Sequence, residues 1–545
     1  MVPPVDIPLF LSGNFGELRS NHFHAGIDIK TQGIGVPVKA IKEGYIARIG
    51  ISPYGYGNVL YIAHPDGTTS VYGHLEKFEP LIEAFVRERQ YENESFVIDL
   101  TLSPRDLPVK KGERIALSGN SGGSAGPHLH FELRSTETEE TFDPLPFFKN
   151  RIADTRAPEI RGIRVFPQPG AGIANGSTGP QTIALNTDKA GKQTLKAITA
   201  WGDIGIGVKA YDFMDKTHNT YGVKDIILKV DGSEVYHAVM DRFSFDNSRS
   251  LNSYVDWKEW VDNKQFFMKS YVEPGNFLGV NYVIRSGIIN INQEKTYHLE
   301  YSMKDAYENT TRFKFTIVGK RTSIPPSPNN RLRQFFAYDK YNYYSGNGIF
   351  FSIPAGNLYT DIYFTVDEVT TPQLSPYSPV YILNERVPLH SACPLTLTIT
   401  NDTFPDKTKY GVVQLLPRGG RHWVGGKYNF SAITAKISEL GSYTVQTDVT
   451  PPVIRPLEQE KWVANRRVSF RIMDNLSGIK FYRGTIGGEW VLFEYDAKRN
   501  LLYYNHDNAR FAAGRLNKIV RQNLVLVVTD GAGNESQFTC EYPIL

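Results

Sequence analysis

Five side chains in the first part of the chain are of the kinds that hold metals and move protons. His24 and Asp28 stand four apart in HFHAGIDIK, His128 and His130 two apart in GPHLHFELR, and His74 lies in VYGHL. On a strand, side chains alternate faces, so offsets of two and four point the same way. His128 and His130 then share a face, as do His24 and Asp28 if that segment is extended. Imidazole nitrogens and a carboxylate oxygen at about 2.0–2.2 Å are usual zinc ligands, and three protein ligands leave a fourth position for water or substrate. HExxH occurs nowhere, which excludes the helical zincins. There are more histidines than a three-ligand site needs, and the surplus could carry protons or steady an oxyanion. Each motif alone is weak: HxH pairs arise by chance on surface strands, and a lone His74 could simply pack. Their combination in one β-rich stretch, with Gly26, Gly73 and Gly126 beside them, points to a metal site.

The elements that must position these residues are short. VPVKAI, GYIARIGI, NVLYIAH and TTSVYGHL read as strands, with SPYGYG and HPDG as turns between them. EPLIEAFVRERQYEN breaks the pattern. Leu81, Ile82, Phe85 and Val86 recur at helical spacing among charges, which predicts an amphipathic helix over about 79–93, inserted between strands.

At 545 residues the chain is long enough for roughly three to four domains. Hydrophobic residues at 41% and charged residues at 21% exclude a disordered chain. Sixty basic against 57 acidic residues leave +3, too even for a strong electrostatic case for nucleic acid. No run approaches the roughly 20 apolar residues of a transmembrane segment. The opening, MVPPVDIPLF, lacks a charged n-region and a long apolar h-region, so no signal peptide is expected in this sequence. The 31 Tyr, 31 Phe, 47 Gly and 32 Pro favour strands and turns. Cys393 and Cys540 cannot build a cysteine zinc site, and one disulfide or two free thiols both remain open.

An internal repeat organises the remainder. Asp154-Thr-Arg-Ala-Pro158 followed by Ile160 and Arg161 matches Asp448-Val-Thr-Pro-Pro452 followed by Ile454 and Arg455. Asp305-Ala-Tyr-Glu-Asn309 with Phe313 matches Asp530-Gly-Ala-Gly-Asn534 with Phe538. Two segments, 151–320 and 448–545, thus open and close alike, and an Ig-like β-sandwich used twice is the economical reading. Residues 321–447 are β-rich without an internal match. The expected fold class is mainly β: an N-terminal antiparallel-β unit over 1–150, then about three β-rich domains, two of them Ig-like.

The blocks HFHAGIDI, VKA…GYIARIG…YGN…VYGHL and VKKGERIALSGNSGGSAGPHLHFELR, in this order, resemble the lysostaphin/LytM-type zinc metallopeptidases, which cut peptide bridges of peptidoglycan. The resemblance covers about residues 10–150. It implies one Zn2+ per chain held by His24, Asp28 and His130, with His74 and His128 as the two non-ligand active-site histidines that activate water and stabilise the tetrahedral intermediate. It implies a peptidoglycan peptide as substrate and a secreted, periplasmic or cell-surface location. The C-terminal β-domains are expected to position the enzyme, regulate it or meet a protein partner. Because ligand imidazoles must be neutral, zinc binding is expected to weaken below about pH 6.

Two departures from the family stand out. The stretch from Leu75 to about Pro108 is longer than usual, so its helix is expected to wall or cover the substrate groove. SGNFGELRSNHF is compressed, and His22 is a rival ligand set aside because only His24 has the family's HxxxD spacing. His64 reads as a hairpin-end residue, and His218, His237, His298, His390, His422 and His506 as structural. All five site positions are intact, which favours an active enzyme; the alternative is a catalytically silent wall-binding or hydrolase-activating protein.

Overall fold

The first sheet is built on one central strand. In the computed structural model, which describes residues 1–187, 193–327, 333–371, 374–384, 386–506 and 520–544, the elements around the candidate residues are β1 (Ile27–Lys30), β2 (Gly44–Ile51), β3 (Asn58–Ala63), β4 (Thr68–Phe78), α1 (Pro80–Glu92) and β5 (His128–Ser135). They run β1-β5-β4-β3-β2 across an antiparallel sheet. Along β5 the residues alternate: Leu129, Phe131 and Leu133 enter the first core with Ile27 and Ile29 of β1. The opposite face is left to His128, His130, Glu132 and Arg134. Gly26 precedes β1 because a Cβ there would stand 2.2 Å from the Phe131 carbonyl oxygen.

α1 falls where the apolar spacing predicts it. Pro80 occupies the first turn, where its missing N–H is no loss. Asn93 ends the helix, its backbone and side-chain nitrogens both donating to the Arg89 carbonyl. Ile82 and Val86 are buried in the first core, while Leu81, also expected on the apolar face, is 80% exposed.

The molecule as a whole is mostly β, with strands in half of it and helices in a tenth, and it stays so beyond residue 150. Residues 159–319 form a ten-stranded sheet built on the long pair Glu159–Ala174 and Ile198–Tyr211. The next segment holds two five-stranded sheets around a core of Phe351, Leu395, Ile433 and Val445. The last holds two four-stranded sheets around Phe470, Phe493, Leu502 and Leu526. Cys393 and Cys540 are free thiols in separate cores.

The first two segments interlock. Phe15, Phe23 and Ala25 leave the first core and enter the second, where Phe15 stacks on Phe243 at 5.1 Å. Met214, Tyr221 and Ala306 make the reverse exchange, and the Tyr221 hydroxyl donates to the Leu11 carbonyl at 2.9 Å. Strand Thr141–Phe142 pairs with Arg242–Phe243, so backbone hydrogen bonds also join the two. The last segment returns to the first: Trp490 meets Tyr91 of α1 edge-on at 5.1 Å, and Arg483 pairs with Glu94.

Trp490 is only 8% exposed, and truncating a buried Trp costs about 3–5 kcal/mol. The variant Trp490→Ala is expected to loosen the last segment from α1. Hydrogen exchange should quicken over residues 80–92 and stay unchanged in β5; equal protection of α1 in both proteins would show that this contact does not hold it.

Candidate active site

The register of β5 brings three of the predicted residues to one point. His130 lies opposite Asp28 on β1 and opposite Gly73 on β4. His24, on the loop entering β1, reaches the same place. His24 Nε2, Asp28 Oδ1 and His130 Nδ1 are 3.0, 2.9 and 3.0 Å apart, and all three residues are buried. Nitrogen and oxygen atoms converging this closely form a group that could hold a metal ion.

Each of these imidazoles has its far nitrogen engaged. His24 Nδ1 donates to the Asn14 carbonyl at 2.7 Å. His130 Nε2 lies 2.8 Å from Glu132 Oε1, so its hydrogen donates to that carboxylate. Glu132 is fully buried and is itself tied down. Tyr56 Oη donates to Oε1 at 2.6 Å, and Arg134 Nε donates to Oε2 at 2.7 Å. Burial works against a charged His130, but the carboxylates of Asp28 and Glu132 outweigh it and raise its pKa to about 9. Asp28 is held well below the usual carboxylate range: burial opposes this, and the three histidines around it prevail.

His74 and His128 stand beside the group. Their rings are 4.8 Å apart, and His128 Nε2 is 3.3 Å from Asp28 Oδ1. His74 Nδ1 donates to the Ser121 carbonyl at 2.9 Å and His128 Nδ1 to the Gly126 carbonyl at 2.8 Å, so both Nε2 atoms are unprotonated in the neutral ring. Burial, reinforced by His130 and His128, pushes the His74 pKa down to about 3. His74 has φ +58°, a left-handed conformation rare for a bulky residue, held by its N–H on the Tyr56 carbonyl at 2.8 Å. Such strain, about 1–3 kcal/mol, gathers at functional sites. The loop carrying Ser121 interlocks with another glycine loop: Gly122 has φ +66°, and a Cβ there would stand 2.3 Å from the Gly57 nitrogen.

These residues line a cavity of about 1070 Å³, at the upper end of ordinary ligand pockets. Its far wall comes from the second segment: Asn219, Phe245, Ser248 and Arg249. No residue of 79–93 lines it, contrary to the expectation that the inserted helix would wall or cover the groove. α1 instead spends its exposed side on the last segment, through Tyr91.

His22 lines the cavity mouth, but its Nδ1 turns to the Ser20 carbonyl at 2.9 Å. His64 is buried between the Glu43 carbonyl and Ser70 Oγ, both at 2.8 Å. Among the described residues none of the six later histidines joins a group that could hold a metal. The residues not anticipated are Asn14, Tyr56, Glu132, Arg134 and the second-segment wall. Glu132 and Arg134 continue the alternation of HLHFELR, so period two alone marks them. The others reach the site from loops or distant sequence.

The profile of Peptidase family M23 matches residues 22–91, and that of the Zu5-like domain matches residues 333–448, the β-rich piece left untyped by sequence reading. Lysostaphin of Staphylococcus simulans is 35% identical over 130 residues, 23% of this chain and 22% of that protein. The DD-carboxypeptidase/endopeptidase Mpg of Neisseria meningitidis serogroup B is 32% identical over 117 residues, 22% of this chain and 21% of that protein. The crystallised catalytic domain of the S. simulans lysostaphin is 30% identical, with 26% of this chain and 92% of that chain covered at a TM-score of 0.20. The chain thus spans about a fifth of the length of these two full-length relatives. Matched residues and matched relatives together make the N-terminal part of this chain a lysostaphin/LytM-type peptidase domain of family M23.

Proposed function

We propose that the chain is a zinc-dependent endopeptidase that hydrolyses peptide cross-links of bacterial peptidoglycan outside the cytoplasm. His24, Asp28 and His130 are its metal ligands; His74 and His128 are its proton-handling pair. The observation that carries this reading is the convergence of His24 Nε2, Asp28 Oδ1 and His130 Nδ1 within 3.0 Å, with both far nitrogens engaged. Two nitrogens and one carboxylate oxygen are the donor set of a catalytic zinc, and far-side acceptors are what such ligands use to fix their tautomers. The chemistry expected of zinc there is Lewis-acid polarisation of a carbonyl and acidification of water.

The chain's own residues supply the rest. His74 is neutral, and its bare Nε2 can accept a hydrogen bond from water and orient it. His128, once protonated, can donate from Nε2 to a developing oxyanion or to the leaving amine. Arg19 Nη2, 3.4 Å from Asp28 Oδ2, steadies the second oxygen of that carboxylate. Phe245 and Arg249 close the groove opposite and orient the peptide. Relatives whose names describe them as a glycyl-glycine endopeptidase and a DD-carboxypeptidase/endopeptidase support the peptide-bond assignment. Among the described residues no helix is long and apolar enough to cross a membrane. The β-rich segments are proposed to position the enzyme or meet a protein partner.

The five residues are expected to divide on substitution. His24→Ala, Asp28→Ala or His130→Ala should lose zinc. His74→Ala and His128→Ala should keep about one zinc per chain while peptidoglycan cleavage falls about 10²–10⁴-fold. Metal content and muropeptide release, measured on the same samples, check this. Zinc retained by all five with no cleavage by the parent would favour the silent wall-binding alternative.

Glu132→Gln keeps the shape beside His130 but removes the charge. Zinc affinity should weaken about 10–100-fold, as for other partners of ligand histidines; competition with a chromophoric chelator reads it.

The metal-free His130 holds a proton up to about pH 9, and zinc must displace it. Below pH 9 affinity should therefore fall about tenfold per pH unit lost, rather than only below about pH 6. Affinity that stays flat between pH 7 and pH 9 would contradict this.

A further inference from the structure

The internal repeat has a use that the peptidase site does not absorb. Its opening and closing aspartates meet in space. Asp154, from the first opening, and Asp305, from the first closing, are joined by Asp212, just after strand Ile198–Tyr211; one carboxylate oxygen from each lies within 4.8 Å of the other two. Asp448, Asp530 and Asp474 form the same triangle in the last segment. The turns are built alike. Asp305 Oδ1 accepts from the backbone of Tyr307 and Asn309, and Asn309 Nδ2 donates to Asp305 Oδ2 and to the Asp154 carbonyl. Asp530 accepts from Ala532 and Asn534, and Asn534 Nδ2 donates to Asp530 Oδ2 and to the Asp448 carbonyl.

The first cluster is the more deeply buried: Asp154 is 8% exposed, and Asp212 and Asp305 are 2% exposed. Two of its oxygens, Asp154 Oδ2 and Asp212 Oδ1, are buried without any hydrogen-bond partner. Among the described residues, no Lys, Arg or His forms an ion pair with any of the three, and neighbouring Arg156 pairs with Glu159 instead. Burial, with the adjoining carboxylates, lifts the Asp154 and Asp212 pKa values to about 7 and about 8. Unpaired buried carboxylates are among the costliest groups a fold can carry. A bound cation removes that cost.

We propose that Asp154, Asp212 and Asp305 bind a Ca2+ ion. The donors are all oxygens, which selects a hard cation over zinc. Ca2+ takes about 6–8 oxygens in flexible geometry, so the three carboxylates can share it with waters, whereas Mg2+ holds to an octahedron and keeps several waters. Asp154 lies on the passage from the first segment to the second. Asp212 begins the 212–222 stretch that sends Met214 and Tyr221 into the first core and Asn219 to the active-site cavity. The ion ties these two passages together, so it stiffens the cavity wall without touching the peptidase ligands. The twin cluster repeats the set in more open form: its unpartnered oxygen, Asp474 Oδ1, belongs to a half-buried residue.

The test uses the full chain, passed over a chelating resin to remove calcium, reloaded with zinc, and titrated with CaCl2 or MgCl2 up to about 10 mM, a range that spans extracellular calcium modules. Calorimetry and equilibrium dialysis should show calcium binding, and the melting temperature should rise by several degrees. Asp212→Asn, or Asp154→Asn should that variant not fold, should bind one calcium fewer with zinc content unchanged. The proposal is overturned if the parent binds no calcium, if Mg2+ stabilises it equally, or if the variants bind as much calcium as the parent.

Discussion

The site depends on a backbone register, that of β5 between β1 and β4. His130 stands opposite Asp28 because Leu129, Phe131 and Leu133 must stand with Ile27 and Ile29 in the core. A slip of one residue would turn His128, His130 and Glu132 inward and bring the apolar residues out. Each of those apolar side chains gains about 1.5–3 kcal/mol from burial, so hydrophobic packing, not the polar cluster, sets where the polar cluster forms. The same alternation supplies Glu132 and Arg134 behind His130, and the partners of the cluster come from the strand that carries it.

The groove around this cluster is a different kind of object. Asp28, His128 and His130 belong to the first sheet, but the far wall, from Asn219 to Arg249, comes from the second segment. Phe23, between His22 and His24, faces the second core, so the loop that delivers His24 is anchored by residues more than two hundred positions away. Arg249, on the far wall, is in turn fixed by donating to the Leu389 and Ser438 carbonyls of the third segment at 2.8 and 3.0 Å. From the last segment, Lys498 Nζ donates to the Asn120 carbonyl and, at 3.1 Å, to the Ser124 carbonyl; Ser124 Oγ is 3.2 Å from His128 Nδ1. Two of the four segments thus line the groove, and the other two brace it.

What the sequence made legible follows the range of the interactions. Period-two alternation and helical spacing are local, so the strands, α1 and the shared face of His128 and His130 could be read directly, whereas His24 reaches Asp28 from the loop before β1 rather than along a strand. The role expected of α1 failed for a related reason. Its apolar face was visible, but its second surface is spent on Trp490 and Glu94's partner Arg483, a pairing across nearly four hundred residues that no local pattern encodes. Asn14 escaped notice because it acts through its backbone carbonyl, which every residue possesses. Tyr56 lies in a turn where its hydroxyl gives no sign of direction. The repeated aspartates mark in sequence only where two segments open and close alike; their meeting point needs Asp212 and Asp474, which sit outside both repeated motifs.

The orientation of the imidazoles is the most specific feature of the site. His24, His74 and His128 each place Nδ1 on a backbone carbonyl, and His130 places Nε2 on a carboxylate. All four partners can only accept, so all four hydrogens point away from the centre and the bare nitrogens face it. Beside them lies Asp28 Oδ1. Lone pairs converging in a buried space repel one another, and the 3.0 Å approach of His24 Nε2 to His130 Nδ1 cannot persist with both atoms bare. Without a metal a proton relieves that repulsion, and the carboxylates of Asp28 and Glu132 raise the His130 pKa to about 9 against the pull of burial. The scaffold therefore stores an electron-rich centre that favours any electrophile able to reach it. A proton can join only two of the three atoms, whereas a cation taking three protein ligands would join them all.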